Sequence, residues 1–112
     1  MKSQEYTIRE DGFLAQIIEL AHLYRWKVHH VRSAWSAKGY RTPIQGDPGF
    51  PDLVLVRNQD ERSRIIVAEV KTERGRLTCD QQDWLKKLER CPGVESYIWK
   101  PGMWDEIVGI LR

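Results

Sequence analysis

Apolar residues near the start of the chain recur every three or four positions: Phe13, Leu14, Ile17, Ala21 and Tyr24. That spacing predicts an amphipathic helix from about Ile8 to Tyr24. Trp26 to Val31 reads as a strand, diluted by His29 and His30. Residues 32–50 carry Gly39, Pro43, Gly46, Pro48 and Gly49 among charged and small side chains, and read as a long loop. Two dense apolar runs follow, Asp52 to Arg57 and Ser63 to Lys71, with Asn58-Gln59-Asp60-Glu61-Arg62 as the turn between them. Their Val, Leu and Ile content is that of strands buried on both faces. Thr78 opens a second helix to about Arg90, which Pro92-Gly93 stops. Val94 to Trp99 is a fourth strand, and after a Pro101-Gly102 turn a final helix runs from Met103 to Leu111. The order α-β-β-β-α-β-α predicts an α/β fold: a mixed sheet flanked by helices, its central hairpin antiparallel, its last strand delivered by a helical crossover. With no repeat or linker in 112 residues, a single domain is expected.

Charge breaks this pattern at one place. The first central strand begins with Asp52, and the second ends with Glu69 and Lys71. In an antiparallel hairpin the start of one strand lies beside the end of the other. Residues two apart share a face, so Glu69 and Lys71 point the same way. Two carboxylates and an ammonium at one end of an apolar sheet are costly unless something completes them. A hard divalent cation bound by one or two carboxylates, with waters and a substrate phosphate, would do so. Asp52 and Glu69 are the expected metal ligands, and the backbone carbonyl of Val70 is a candidate third. Lys71 is placed to stabilise developing phosphoryl charge or to act on the attacking water. The set suits phosphodiester hydrolysis; a salt-bridge cluster at a sheet end is the structural alternative.

Both helices offer further groups. At 100° per residue Glu10 falls within about 20° of Ile17, on the apolar stripe, from where it could reach the sheet end and bind metal through water; a first-turn acid stabilised by the helix dipole is the structural alternative. Thr78 and Gln81 have the spacing of a capping box, and Gln81 also follows Lys71 closely enough to contact a phosphate or water. His29 and His30 fall on opposite strand faces, and His30, with Arg32 and Ser33 beyond it, is the one expected to face a nucleic acid. Lys38 and Arg41 in the long loop, and Arg74 and Arg76 after Lys71, add local positive charge suited to a polyanion. Trp35, in the same loop, is a candidate for stacking on a base or covering a partner surface.

Composition changes little. The net charge of +2 is a weak pointer to nucleic acid, and 41% hydrophobic with 30% charged residues is ordinary for a soluble protein. No apolar run is long enough for a membrane span, and the polar opening MKSQEYTIREDG lacks a secretory signal's apolar stretch. A cytoplasmic location is therefore expected. Cys79 and Cys91 fall about three helical turns apart, too far to pair, and are expected to be free thiols.

Taken together, Gly49-Phe50-Pro51-Asp52-Leu53-Val54-Leu55-Val56, Ala68-Glu69-Val70-Lys71 and Gly75-Arg76-Leu77-Thr78-Cys79-Asp80-Gln81-Gln82-Asp83-Trp84-Leu85 resemble the PD-(D/E)xK nuclease superfamily, and within it the VRR-NUC family. The opening helix from Phe13 to Ala21 and the segment Tyr97-Ile98-Trp99-Lys100-Pro101 resemble it too. The resemblance implies a restriction-endonuclease-like core and a Mg²⁺- or Mn²⁺-dependent DNA endonuclease leaving 5′-phosphate ends. It assigns metal binding to Asp52 and Glu69, water activation to Lys71, and supporting roles to Gln81 and Glu10. Similar stand-alone domains of bacteria and phages are homodimers acting on branched DNA such as Holliday junctions. This sets the expectation of a junction resolvase in a bacterial or phage-infected cell. The alternatives are a nicking or flap nuclease without junction preference, with a helicase or recombination protein as partner, and a non-cleaving DNA-binding module.

Overall fold

The computed structural model describes residues 10–30, 34–36, 39–41 and 45–112; for 34–36 and 39–41 it describes the backbone alone. The chain runs α1 (Glu10–Leu23), β1 (Lys27–His30), β2 (Ala34–Ser36), β3 (Gly39–Arg41), β4 (Leu53–Gln59), β5 (Arg62–Val70), α2 (Cys79–Glu89), β6 (Val94–Trp99), a 3₁₀ turn (Pro101–Met103) and α3 (Trp104–Leu111). The main sheet has the order β1-β4-β5-β6. β1 and β5 lie antiparallel to β4, while β6 lies parallel to β5. A parallel neighbour needs a crossover, which α2 supplies. The α/β class, the mixed sheet and its four strands are those the apolar pattern predicts.

One feature differs. The segment read as a continuous loop contains a small hairpin, β2 with β3, in which Trp35 partners Tyr40. Aromatic residues favour extended backbone, but three-residue strands between Ser, Lys and Gly leave almost no periodic signal.

Sequence pattern becomes packing at α1. Phe13, Ile17 and Ala21 are its buried residues, one turn apart on a single stripe. They meet Leu53, Leu55, Ile66, Ala68, Val70 and Trp99 from the sheet and Ile107 and Leu111 from α3 in one core. On the strands, Leu53 and Leu55 stand opposite Ala68 and Ile66, so alternate residues of the hairpin build one face of that core. Glu69, between Ala68 and Val70, turns to the other face, where α2 packs against β6.

The sheet end remote from the carboxylates is closed by cations. Arg57 donates to the carbonyls of Tyr24 (3.1 Å) and Leu111 (2.8 Å), and Arg64 to that of Ile110 (3.1 Å). Both guanidinium groups lie over the Trp26 ring, at 4.5 and 5.0 Å from its centroid. Cations on the last carbonyls of a helix satisfy acceptors that have no intrahelical donor. This anchors α3, and with it the core, to the sheet.

Candidate active site

The hairpin register brings the two carboxylates together. Leu53 pairs with Ala68, so continuing the ladder by one step sets Asp52 opposite Glu69. Directly opposed residues have Cβ atoms about 4.5–5.5 Å apart. Another step sets Pro51 opposite Val70. Proline has no N–H to give to Val70's carbonyl. Val70's own N–H goes instead to Asp52 Oδ2, at 2.7 Å. The Pro-Asp pair thus ends the ladder and fixes the carboxylate in one stroke. Since a strand residue turns its N–H and C=O to the same side, Val70's carbonyl also faces the Asp52 side.

Glu69 is 1% exposed, the one buried charged residue among those described. Gln81 Nε2 donates to its Oε1 at 3.2 Å. Its Oε2 is buried without a hydrogen-bond partner. The carboxyl is pushed up to about 9, first by burial, then by the Asp52 carboxyl beside it and that residue's charge. Lys71 Nζ, 4.0 Å from Oε1, pulls the other way and is outweighed. Burial of this kind favours the neutral form of a carboxyl.

The flanking helices support this pair. Thr78 caps α2, and both halves of the capping box form: Gln81 N donates to Thr78 Oγ1 at 3.1 Å and Thr78 N to Gln81 Oε1 at 2.9 Å. Gln81 therefore spends its carbonyl on the helix and its amide nitrogen on Glu69. Glu10, in the first turn of α1, has its carboxyl raised by partial burial and then by the charge of Asp52, while Lys71 lowers it. The first-helix acid is exposed but lies within electrostatic reach of Asp52 and Lys71.

The remaining expected site residues fall in different places. His30 is half-buried on β1, its Nδ1 3.0 Å from the main-chain carbonyl of Asp52. It braces the strand that carries a carboxylate, a contact its position in sequence did not reveal. Arg74 and Arg76 are exposed in the loop between β5 and α2. Arg32, Ser33 and Lys38 lie outside the described residues, and Arg41 is described by its backbone in β3. Cys79 and Cys91 are free and exposed.

Whether these groups fit a metal rests on their donors. Among the described residues no three His, Cys, Asp or Glu side chains gather as a metal-binding group. The pair Asp52 and Glu69 is nonetheless the complement that Mg²⁺ or Mn²⁺ uses when waters and substrate oxygens fill the other positions. The partnerless, buried Glu69 Oε2 is the oxygen such an ion would satisfy, and the donor set is entirely oxygen. A groove of about 750 Å³ lined by Phe13, Leu20, Leu23 and Trp104 is separate from these groups.

Opposed carboxylates, a lysine two residues along the strand and a glutamine from the following helix thus meet at one end of the sheet. The VRR-NUC domain model matches residues 9–100, and the chain belongs to that family of nucleases. Searches of curated proteins and of solved structures gave no match.

Proposed function

We propose that the chain is a Mg²⁺- or Mn²⁺-dependent endodeoxyribonuclease that acts on branched DNA as a homodimer. The observation that carries the metal-dependent reading is Glu69 Oε2, a carboxylate oxygen buried without a partner opposite Asp52. Asp52, Glu69 and the Val70 carbonyl would hold the ion, which supplies Lewis-acid polarisation of the scissile phosphate.

The protein's own groups do the rest. Val70 N–H holds Asp52 in one orientation, and Gln81 does the same for Glu69. Fixing these rotamers before substrate arrives avoids reorganisation during the reaction. Lys71, on the same face as Glu69, directs its ammonium at the attacking water and at the charge growing on the phosphoryl oxygens. Arg74 and Arg76 attract the DNA backbone. Two exposed free thiols suit a reducing compartment, and we place the protein in the cytoplasm of a bacterial or phage-infected cell.

Branched DNA and the dimer rest on symmetry. A four-way junction needs two related strands cut, and two copies related by a two-fold axis present two equivalent sites. The test is incubation with Mg²⁺ or Mn²⁺ and four-way, flap, single-stranded and duplex DNA, beside Asp52→Ala and Lys71→Ala. Paired symmetric cuts in the junction, lost in both variants, are expected, together with sedimentation as a dimer. Cutting of flaps and nicks without junction preference by a monomer would replace this reading with the simpler nuclease. DNA binding without cutting would leave a non-cleaving module.

A further inference from the structure

Among the described residues four large apolar side chains are exposed: Leu23, Phe50, Val56 and Ile98. Phe50 is set apart by where it stands. It lies two residues before Asp52, which limits the distance between their Cα atoms to about 7 Å. It is 47% exposed, and its ring meets Trp84 edge to face, with centroids 5.0 Å apart and planes at 85°. Trp84 follows Gln81 by one turn on α2, so both lie on one side of the helix. The aromatic pair therefore borders the carboxylates on one flank.

The segment carrying Phe50 is pinned. Gly49 has φ +98°, and a Cβ there would lie 2.7 Å from the main-chain carbon of Asp80. Trp84 Nε1 donates to the Asp47 carbonyl at 3.3 Å. Pro51 is buried. The half-exposed ring is thus held at the rim by contacts on both sides of it. An edge-to-face pair covers one face of one ring and neither face of the other, and nearly half of Phe50 is open to solvent.

We propose that Phe50 and Trp84 form a stacking platform for one nucleobase of the strand being cut. The inference rests on the nuclease reading and adds to it. Every base has a π face, so the platform tolerates any sequence. Bases inside a continuous duplex are already stacked and paired, and taking one out costs free energy that is smallest where pairing is interrupted. The platform therefore favours branch points, gaps and ends over intact duplex, and it supplies a structural preference without base-specific contacts.

The test is photocrosslinking in EDTA, with 5-iodouracil placed at successive positions around a branch point and the adducts mapped by mass spectrometry. Adducts on Phe50 or Trp84 from one or two positions are expected. Phe50→Leu, which keeps apolar bulk against Trp84 but has no π face, should lose them and bind branched DNA about tenfold more weakly, the scale of one lost stacking contact. Phe50→Trp should restore both, and circular dichroism should show both variants folded. Wild type that cuts DNA with adducts only elsewhere, or a folded Phe50→Leu that binds as tightly as wild type, overturns the platform and leaves the nuclease intact. Wild type that neither cuts nor binds DNA removes the nuclease reading, and the platform with it.

Discussion

Replacing Glu69 by glutamine should stabilise the metal-free protein in mildly alkaline solution. In the fold this carboxyl is raised from 4.5 to about 9. Between those values the folded chain keeps a proton that the unfolded chain has released. Stability therefore falls as pH rises through this window and levels off above it. One unit corresponds to about 1.4 kcal/mol, so the ceiling between pH 5 and pH 8 is about 4 kcal/mol. The charges of Asp52 and Glu10 carry part of the shift, so about 2 kcal/mol is the expected size for Glu69 itself. The amide in Glu69→Gln retains an oxygen to accept from Gln81 but has no charge to desolvate. Thermal melts with chelator at pH 5, 6.5 and 8 measure the effect. The two proteins should melt alike at pH 5, and the variant about 10 °C higher at pH 8. Added Mn²⁺ should then raise the wild type by mass action and leave the variant where it was. A variant that melts at or below wild type at pH 8 without metal would refute the argument.

Thr78→Ala and Gln81→Ala should each lose about 1 kcal/mol of helix capping, seen as similar drops in melting temperature. Only Gln81→Ala also frees Glu69, so its kcat alone should fall at least ~10-fold. Arg57→Ala strips a donor from the Tyr24 and Leu111 carbonyls and a cation from Trp26. A loss of about 2 kcal/mol is expected by urea denaturation, with cleavage at low temperature retained. Gly49→Ala forces a left-handed φ and a clash with Asp80, and should cost about 2 kcal/mol by the same measurement while slowing cleavage.

Much of this site is legible in the sequence because its parts are set by local periodicity. Period two puts Glu69 and Lys71 on one face, and 3.6 residues per turn puts Glu10 on the stripe of Phe13 and Ile17. The antiparallel register then needs only a short turn to set Asp52 against Glu69. Thr78 and Gln81 are likewise readable as a cap, because a capping box is a contact across three residues. What could not be read depends on contacts between distant segments. The second bond of Gln81, to Glu69, spans 12 residues. The brace from His30 to Asp52 spans 22, and the hold of Arg57 on α3 spans 54. Phe50 against Trp84 is of the same kind; its one sequence signal is a glycine immediately before an aromatic residue and a proline. The β2–β3 hairpin leaves no signal in the sequence because its strands are too short to establish an alternation.

The hairpin of β4 and β5 also separates two jobs in space. Its turn at Asp60 and Glu61 lies eight strand residues from Glu69, roughly 26 Å at the rise of an extended chain. Register propagates only through the paired residues between them. Extra length inside either strand would slip Asp52 past Glu69 and invert which face each side chain occupies, whereas extra length at the exposed tip leaves every pairing unchanged. The tip is therefore a natural port for engineering. A fluorophore, an affinity handle or a guiding domain attached between Asp60 and Glu61 would travel with the enzyme without entering its chemistry.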